Sequence, residues 1–595
     1  MRRAVSTILI AILFPSIIYL ALEIAPAGAV DAIYIRADGS VDPPDGRILS
    51  SDNVTYVFAS DIIDLVVVER SGVLIDGSNH SLIGLDTVNG LYLGNVSNVT
   101  IQNLLVRSFR NGIRIEQSYN VTATRIEITK CKYGFSLVST THSTISENNV
   151  TGNTYHAIDL SSACDFNVIY GNILALNGED GTAILSSQHN FVVGNSMTKN
   201  GNGVRLGNCS FNIITDNVIA DSSATGFASS FSKSNTFVRN NVTKNTAGIV
   251  LESSSDHEIL ENRITSNYLN GAILDYSSNN TIFNNTVMNN MGQAGISLDF
   301  SNGNSISHNR LISNHRGLSL KDASNNLVVR NNITKNGYGV YTEDYTRFQN
   351  NSIVGNDILG NSCGVKLGIW AENNTISCNN LARNGEQVNI ATNASINRWN
   401  DEYPGSGNYW SSYNGTDCLS GAFQNETGCD GIGDTPYSMG TNNTDHYPLM
   451  GMFYSFNVTY FTLPAAPHSC SVDVISNSSI SGFAAPILIE HLDIIVLSFN
   501  ATGEQGSAGF CRISFPTAMM NDPYHVSING TEIPCNLLSF SNSTITYLYF
   551  NYSHSTQQVR IIPEYPSSSI LPMSALSAMP AILASKRRRP RRHCR

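Results

Sequence analysis

The sequence predicts an all-β protein built mainly from a single-stranded parallel β-helix, and three features of the chain lead to this prediction. A glycine followed by an apolar-x-apolar triplet recurs about every 22–24 residues, as at Gly271 and Gly295. An apolar-x-x-Asn-x-apolar unit recurs with the same period, as at Asn262 and Asn285. Between these units, apolar residues alternate over two to four positions, which is typical of short strands. A repeat this short can bury its apolar side chains only by stacking on its neighbours, as in a solenoid.

The two units form columns that run through most of the chain. Members of the glycine column follow one another by about one coil, with Ala157 in the single missing step: Gly90, Gly112, Gly134, Gly181, Gly203, Gly226, Gly248, Gly271, Gly295, Gly317, Gly339 and Gly364. The asparagine column contains Asn148, Asn172, Asn195, Asn217, Asn240, Asn262, Asn285, Asn309, Asn331, Asn356 and Asn379. Glycine suits a backbone that turns with positive φ or passes a neighbour closely. Stacked asparagines hydrogen-bond from coil to coil, so this column is interpreted as structural.

These repeats, with Ile75-Asp76-Gly77 in the opening segment, resemble the NosD-like, carbohydrate-binding and sugar-hydrolase family of β-helices. The resemblance covers about residues 45–450 and implies a right-handed solenoid. It does not fix an activity, because the same scaffold serves polysaccharide lyases, hydrolases and epimerases as well as non-catalytic surface proteins. Copper, which the NosD name implies, is not expected here. The 11 Met and 13 His are scattered along the chain, whereas copper needs soft or imidazole ligands gathered together.

The start of the chain predicts export. Arg2 and Arg3 precede an apolar run that ends in Ala27-Gly28-Ala29, so residues 1–29 are interpreted as a secretory signal peptide, with an uncleaved anchor as the alternative. Residues 30–89 are then the cap and first coils, and residues 90–394 are the repeats. More than twenty Asn-x-Ser/Thr sites fit a secreted glycoprotein. The excess of 46 acidic over 35 basic residues argues against nucleic acid as a partner.

One outward position, directly after each glycine unit, carries a charge in five successive coils. Its members are Glu252, Asp275, Asp299, Lys321 and Glu343. Stacked strands would place neighbouring carboxylates about 5 Å apart and next-nearest ones about 10 Å apart. Retaining glycosidases hold two carboxyl groups about 5 Å apart and inverting ones about 6.5–9.5 Å apart, so Glu252, Asp275 and Asp299 are catalytic candidates. The alternatives are a ligand-binding or cation-binding column that includes Lys321 and Glu343, or a solvated acidic face.

Other charged residues at outward positions are interpreted as too far apart to cooperate. His156, beside Ala157, is expected to be an isolated surface or turn histidine. Arg114 and Arg205 share an outward column position, as do Asp159 and Lys366, but the two members of each pair are expected to lie too many coils apart to cooperate. The sequence therefore predicts acidic residues in a row but no assembled active site.

The periodicity ends before residues 395–450, where a tryptophan-containing signature begins. Tyr403-Pro404-Gly405-Ser406-Gly407 and Asp430-Gly431-Ile432-Gly433-Asp434 resemble the segment that closes the helix in archaeal-type NosD-like cell-surface proteins. Trp370, Trp399 and Trp410 are expected to form a hydrophobic lid over the last coil. The functional alternative is an aromatic platform that binds a sugar ring.

Three aspartates of this segment, Asp417, Asp430 and Asp434, resemble an acidic loop that binds Ca²⁺ in related extracellular repeats. Here the residues from Cys418 to Cys429 interrupt the loop, so the spacing of the ligands is not intact. In an oxidising compartment, Cys418 and Cys429 are expected to close the insertion with a disulfide. Calcium is the only metal ion that the sequence suggests.

Residues 451–565 predict a second, smaller domain. Six or seven short apolar alternations joined by turn residues are typical of a β-sandwich. Residues 566–595 combine an apolar run with a basic cluster, which predicts a C-terminal membrane anchor. The run is shorter than the roughly 20 residues of a spanning helix and contains Pro572 and Pro580. A disordered basic tail is the alternative.

Two functions of different class follow from the sequence. The first is a secreted, membrane-anchored surface protein whose rod binds a polysaccharide or another cell-envelope glycan without catalysis. The second is a polysaccharide hydrolase, lyase or epimerase that acts through Glu252, Asp275 and Asp299. The first is favoured, because the assembled motif sets of polygalacturonases and epimerases are missing.

Overall fold

The computed structural model describes residues 32–391, 396–440, 442–461, 467–489 and 494–563. The predicted signal peptide and C-terminal anchor lie outside these residues. Across the described ranges the chain forms strands and turns apart from one short 3-10 helix, Thr517–Met519. The predicted all-β class, with a parallel solenoid followed by antiparallel sheets, is confirmed.

Each coil of the solenoid contributes one strand to each of three sheets, which are called sheet one, sheet two and sheet three in chain order. Sheet one contains 17 strands, all parallel except the second: Ala32–Ile35, Val41–Asp42, Leu65–Val68, Asn89–Gly94, Asn111–Glu116, Tyr133–Val138, Ile158–Ser161, Thr182–Leu185, Val204–Gly207, Thr225–Ser230, Ala247–Glu252, Ala272–Asp275, Ile296–Asp299, Arg316–Lys321, Tyr338–Thr342, Cys363–Leu367 and Glu386–Ile390.

Sheet two has 16 strands: Ile48–Leu49, Thr55–Phe58, Leu74–Asp76, Thr100–Gln102, Thr122–Thr124, Thr144–Ser146, Val168–Tyr170, Phe191–Val193, Ile213–Thr215, Thr236–Val238, Glu258–Leu260, Thr281–Phe283, Ser305–Ser307, Leu327–Val329, Ser352–Val354 and Thr375–Ser377. Sheet three has 15 strands: Ser81–Ile83, Leu105–Arg107, Glu127–Thr129, Asn149–Thr151, Ile173–Ala175, Ser196–Thr198, Val218–Ala220, Asn241–Thr243, Arg263–Thr265, Thr286–Met288, Arg310–Ile312, Asn332–Thr334, Asp357–Leu359, Asn380–Ala382 and Tyr409–Trp410. A fourth, smaller sheet of three short strands is added in the last coils: Ala323–Ser324, Phe348–Gln349 and Ala371–Glu372.

The solenoid encloses one continuous apolar core, because inward and outward residues alternate along its strands. Ile249 and Leu251 are fully buried, whereas Val250 between them is half-buried on the outward side. The same core extends from Ile33 to Trp410. Four of the cysteines that the sequence places in the coils are also buried: Cys131, Cys164, Cys209 and Cys363.

The glycine column is explained by close approach between coils. A Cβ on Gly271 would lie 2.5 Å from the carbonyl oxygen of Gly295 and 2.5 Å from a methyl group of Val287. A Cβ on Gly248 would lie 2.2 Å from the carbonyl oxygen of Gly271. Real Cβ atoms do not approach backbone oxygens this closely, so a larger residue would push neighbouring coils apart.

The predicted asparagine column is confirmed as a buried hydrogen-bonded ladder. Asn285 accepts hydrogen bonds from the backbone nitrogen of Asn262 at 2.8 Å and from its side-chain amide at 3.1 Å. Asn285 in turn donates to Oδ1 of Asn309 at 3.0 Å. The ladder occupies the turn between sheets two and three and continues to Asn408.

The structure contains two further ladders that the sequence analysis did not separate from the first. One fills the turn between sheets three and one, with Ser222 in place of one asparagine: Asn153, Asn177, Asn200, Asn245, Asn267, Asn290, Asn314, Asn336, Asn361 and Asn384. The other fills the turn between sheets one and two, with His257 in place of one asparagine: Asn167, Asn190, Asn212, Asn235, Asn280, Asn304, Asn326, Asn351, Asn374 and Asn397. All three turns of the coil are therefore stabilised in the same way.

The closing segment covers the last coil with two buried tryptophans. Trp399 and Trp410 are 0 % and 1 % exposed, and their ring centroids lie 5.8 Å apart. Trp399 donates its indole N–H to Asn443, and Trp410 donates to Asp445. Two small hairpins complete the segment: Leu419–Ser420 with Glu426–Thr427, and Tyr437–Ser438 with Thr444–Asp445.

The second domain is a sandwich of two antiparallel five-stranded sheets that share one apolar core. The first sheet contains, in spatial order, Met452–Phe461, Pro467–Ser476, Ala508–Pro516, Ile545–Ser553 and Asn536–Leu537. The second contains Ser479–Ile489, Ile494–Thr502, Thr556–Pro563, Tyr524–Ile528 and Thr531–Ile533. No helix in the described part of the chain is long and apolar enough to cross a membrane.

The sandwich is docked on the solenoid through polar contacts along its first strand. Asn380 and the backbone of Phe453 exchange two hydrogen bonds, of 2.8 and 2.7 Å. Arg330 donates to Ser455 and Asn457, and the buried Arg512 donates to backbone carbonyls of the closing segment. An apolar cluster with residues from both domains surrounds these contacts.

Candidate functional site

The charged column predicted on sheet one is formed, and it is called the acidic column. Glu252 pairs in register with Asp275, Asp275 with Asp299, and Asp299 with Lys321. Glu343 comes directly after the last residue of the next strand and continues the column beyond it. All five side chains are half-buried on the outward side of sheet one. Successive carboxylates are thus separated by one strand spacing, about 4.8 Å.

Burial and mutual repulsion shift the two central carboxyl groups. Burial raises the pKa of Asp275, Glu252 raises it further, and Lys321 opposes both. Burial also raises the pKa of Asp299; Lys321 opposes this shift, Asp275 adds to it, and the Ser297 hydroxyl, 3.4 Å away, opposes it. None of the described ion pairs includes Glu252, Asp275 or Asp299, although Arg114–Glu116 and Arg205–Asp180 pairs occur elsewhere on the same face. These three carboxylates therefore remain available to a ligand.

Exposed apolar side chains border the acidic column on both edges, which the sequence analysis did not predict. Phe231, Tyr276 and Phe300 lie on the edge that leads to sheet two and are 70, 60 and 40 % exposed. The rings of Tyr276 and Phe300 stack with centroids 4.8 Å apart, and Lys321 Nζ lies 5.9 Å from the Phe300 centroid. On the opposite edge, the turn into sheet one exposes Tyr268, Leu269 and Met291. The face thus combines carboxylates with exposed rings.

A second group of charged residues lies on earlier coils of sheet one and is called the histidine cluster: His156, Asp159, Glu179, Asp180 and Arg205. The prediction that His156 is an isolated surface histidine is wrong, because its ring is buried and both nitrogens have partners. Nδ1 accepts the backbone N–H of Asp180 at 3.2 Å, and Nε2 lies 3.3 Å from Glu179 Oε2. Arg205 forms an ion pair of 2.6 Å with Asp180. Burial lowers the pKa of His156 to about 4, so the ring is neutral at pH 7.

The cluster brings together side chains of three successive coils, which the sequence analysis did not predict. His156 is in register with Asp180 on the next coil, and Arg205 reaches back across one coil to the same carboxylate. The cluster therefore joins residues up to 49 positions apart in the chain. The sequence does show outward residues of alternating charge at the repeat period. It does not show the contacts within the histidine cluster, because these depend on the length and direction of the side chains.

Asp159 is the member of the histidine cluster with no hydrogen bond or ion pair among the described residues. It is in register with Ser136 on one side and Ala183 on the other, so small side chains flank its carboxyl group. Burial raises the pKa of Asp159 to about 6, while Arg205 and Arg114 oppose the shift. A carboxyl group with such a pKa can give or accept a proton near neutral pH.

The structure distinguishes a hydrophobic lid from a sugar-binding platform as the role of Trp399 and Trp410. Trp399 and Trp410 form the hydrophobic lid, and their burial leaves neither ring face free for a sugar. The platform interpretation of these two residues is therefore wrong, because the indoles are needed to cover the last coil. Trp370 is 48 % exposed and presents its ring to solvent, so the prediction that it belongs to the lid is wrong.

The three aspartates of the closing segment bind backbone amides. Asp417 accepts hydrogen bonds from the amides of Asp430 and Gly431, each at 2.9 Å. Asp434 accepts from the amides of Cys418 and Leu419 at 3.1 and 3.0 Å. No group of three or more His, Cys, Asp or Glu side chains in the described residues has the arrangement of a metal site. The aspartates thus hold the hairpin in place, and calcium binding remains a prediction.

The predicted disulfide is not formed in the structure. Cys418 and Cys429 are both free thiols at the base of the hairpin. The backbone of Gly428, beside Cys429, donates to the carbonyl of Cys418 at 3.0 Å, so the two cysteines lie on facing strands with a one-residue offset. The hairpin is already closed by this hydrogen bond and by the Asp417 contacts.

Comparison with protein families assigns the solenoid. Residues 65–204 and 111–259 match the family described as right handed beta helix region, and residues 290–415 match the family described as periplasmic copper-binding protein (NosD). The solenoid is a NosD-like right-handed β-helix. No curated protein matches the chain.

Solved structures that match this chain include two epimerases and a tailspike protein. The periplasmic alginate epimerase AlgG is 14 % identical over 60 % of this chain and 81 % of its own, with a TM-score of 0.28. The AlgE6 A-module, a mannuronan C-5 epimerase of Azotobacter vinelandii, is 13 % identical over 58 % of this chain and 87 % of its own, with a TM-score of 0.25. The Dettilon tailspike protein is 14 % identical over 85 % of this chain and 86 % of its own, with a TM-score of 0.29.

The described residues do not fit the copper ion that the NosD family name implies. No group of three or more His, Cys, Asp or Glu side chains in the described ranges, the histidine cluster included, is arranged to hold a metal ion. Several thiols are buried, and burial raises the pKa of Cys131 to about 12, which disfavours the thiolate that binds metals. Copper is therefore not used in the account of function.

Proposed function

We propose that the outward face of sheet one, from about residue 225 to residue 343, binds an extended polysaccharide along the solenoid axis. The observation that carries the proposal is the acidic column, whose carboxylates lie outside the described ion pairs and repeat on consecutive coils between two edges of exposed apolar side chains. Carboxylates accept hydrogen bonds from sugar hydroxyls, and aromatic rings pack against the apolar faces of pyranoses. A repeating face suits a repeating ligand.

The proposed place of action is outside the cytoplasm, at the cell surface. The NosD family description names periplasmic proteins, and the N-terminal residues carry the pattern of a signal peptide. We further propose that residues 566–595 hold the protein at a membrane, as the apolar run and basic cluster suggest. A polysaccharide or another cell-envelope glycan is the partner that fits this location.

The test is affinity electrophoresis of the full chain in gels that contain single plant, algal or microbial polysaccharides. We expect one or more glycans to retard the protein. Asp275→Asn/Asp299→Asn and Tyr276→Ala/Phe300→Ala should each reduce the retardation at least ten-fold in apparent affinity. Phe191→Ala, which removes an exposed ring from sheet two, is the matched control and should bind normally. Equal binding by all variants would contradict the proposed face.

A second candidate function is polysaccharide cleavage or epimerisation at the histidine cluster. It is favoured by Asp159, whose carboxyl group has a pKa of about 6 and no protein partner among the described residues. In hydrolysis, the protonated carboxyl would give its proton to the glycosidic oxygen, while water adds to the anomeric carbon and loses a proton to a second base. Asp180, held by Arg205 and Asn202, is a second carboxylate of the cluster and raises the pKa of Asp159 electrostatically.

Measuring turnover of the bound glycan distinguishes the two candidate catalytic sites, the histidine cluster and the acidic column. Reducing ends and sugar composition are measured after incubation with each polysaccharide. Activity lost in Asp159→Asn and kept in Asp275→Asn/Asp299→Asn would assign catalysis to the histidine cluster, and the reverse pattern would assign it to the acidic column. Binding without turnover by the native protein would leave the non-catalytic function.

A further inference from the structure

A groove of about 490 Å³ opens where the first strand of the sandwich leaves the surface of the solenoid. It lies on the turn between sheets two and three, away from sheet one. His308 and Arg330 line it from the solenoid, and Ser455, Asn457, Phe456 and Phe483 line it from the sandwich. Ligand sites of this size commonly form at domain boundaries, with a few polar groups against an apolar wall.

The cationic group of the groove is Arg330. Its guanidinium donates to Asn457 Oδ1 at 2.6 Å, to Ser455 Oγ at 2.7 Å and to Ser471 Oγ at 2.5 Å. All three acceptors are neutral, and none of the described ion pairs includes Arg330. The nearest acid, Asp473, hydrogen-bonds to Ser455, and burial raises the pKa of its carboxyl group. The positive charge of Arg330 is thus held in place by neutral groups.

His308 supplies a second polar group that the protein itself leaves unsatisfied. Its Nδ1 atom is buried and has no hydrogen-bond partner among the described residues. The ring packs at 5.2 Å from Phe283, which fixes its position beside Arg330. Burial and the charge of Arg330 both lower the pKa of His308, so the imidazole is neutral at pH 7. Buried polar atoms normally have partners, so this nitrogen is free to hydrogen-bond to a ligand or a water.

The apolar wall comes from two stacked rings of the sandwich. Phe456 and Phe483 lie with centroids 4.2 Å apart and an interplanar angle of 11°. Both rings are half-buried and line the groove. Flat apolar surface beside hydrogen-bonding groups matches a pyranose, whose ring faces are apolar and whose edge carries polar groups.

We propose that this groove is a second, separate binding site that takes a single carboxylated sugar, such as a hexuronate unit. The carboxylate accepts hydrogen bonds from the Arg330 guanidinium and the His308 imidazole, and the sugar ring packs against Phe456 and Phe483. An arginine with neutral partners favours an anion over an uncharged sugar. The site is independent of the polysaccharide face on sheet one.

Calorimetry with glucuronate, glucose and acetate tests the proposal on the full chain. The protein should be made without N-glycans, because Asn457 begins an Asn-Val-Thr site at the rim of the groove. We expect saturable binding of glucuronate, with glucose and acetate at least ten-fold weaker. Equal affinities for glucuronate and glucose, or no binding of glucuronate at millimolar concentration, would overturn the proposal.

Two variants locate the site and separate it from domain docking. His308→Ala removes a ring whose Nδ1 has no protein partner and should weaken glucuronate binding about ten-fold without loss of thermal stability. Arg330→Gln should abolish binding, with scattering used to confirm that the sandwich stays docked. Asp275→Asn/Asp299→Asn should bind glucuronate normally, because the acidic column is not part of the groove. Unchanged affinity in His308→Ala would place the sugar elsewhere and contradict the assignment.

Discussion

His257 shows how a single residue can make the stability of the solenoid depend on pH. It replaces asparagine in one ladder, where Nδ1 accepts the backbone N–H of Asn235 at 3.0 Å. Its other nitrogen lies 3.1 Å from the hydroxyl of Ser229. Protonation would turn the accepting nitrogen into a donor that faces another donor. Burial accordingly lowers the pKa of His257 from 6.5 to about 4.

We predict that the free energy of unfolding falls as pH decreases from 6.5 to 4. In this range His257 binds a proton in the unfolded chain but stays neutral in the folded protein. A pKa lowered from 6.5 to about 4 corresponds to about 3 kcal/mol at the acidic end. His257→Asn should remove this part of the pH dependence and restore a continuous ladder. Denaturant unfolding at pH 7 and pH 4.5 measures it, and His156, buried in the same way, accounts for some remaining dependence. An unchanged pH dependence in His257→Asn would contradict the assignment.

The asparagine ladders are the elements that hold one coil to the next in the turns. Asn285 is fully buried and donates to the carbonyls of Ile259 and Phe283 as well as to Asn309. Removal of its amide would leave several buried backbone groups without partners. Each such group costs about 1–3 kcal/mol. The ladder thus contributes to stability through satisfied polar groups as well as through packing.

We therefore predict that Asn285→Ala lowers the free energy of unfolding by about 3 kcal/mol or more. Asn284→Gly is the matched control, since Asn284 is exposed and its φ of 54° suits glycine. It should change stability by less than about 1 kcal/mol. Chemical denaturation of both variants gives the comparison, and equal losses would show that the ladder is not a source of stability.

The sequence was sufficient to predict the coils, since glycine and asparagine recur with one period and each has a steric or hydrogen-bonding reason to do so. It was also sufficient for the acidic column, because strand register follows directly from that period. The additional ladders were missed because Ser222 and His257 interrupt them and exposed asparagines surround them in the chain. The histidine cluster was missed because Arg205 reaches across coils to Asp180. The sequence alone does not show how far a side chain extends towards a neighbouring coil.

At the scale of the whole molecule, the closing segment joins two domains into one body through Arg512. This guanidinium is 3 % exposed and donates to the backbone carbonyls of Pro404 at 2.6 Å and Asp430 at 3.3 Å. Its charge also lies over the rings of Phe540 and Tyr547, at 5.4 and 5.2 Å. The contact fixes how the sandwich lies against the end of the solenoid.

We predict that Arg512→Met separates the unfolding of the two domains. The sandwich should unfold earlier, at a temperature several degrees lower, because two buried carbonyls lose their donor. The solenoid transition should stay in place, since its own ladders are intact. Calorimetry measures both transitions. Arg239→Met, which removes an exposed ion pair with Asp216, is the control and should leave the thermogram unchanged; a single unshifted transition in Arg512→Met would contradict this role.

The most direct test of the proposed binding face is hydroxyl-radical footprinting of the protein with and without a polysaccharide that binds it. We predict that bound polysaccharide protects Tyr276, Phe300 and Tyr268 from oxidation, because they border the acidic column on sheet one. Phe191 and Phe211, exposed rings outside this face, should react equally in both samples. Protection of Phe191 or Phe211 with full reactivity of Tyr276 and Phe300 would contradict the proposal and move the glycan away from the acidic column.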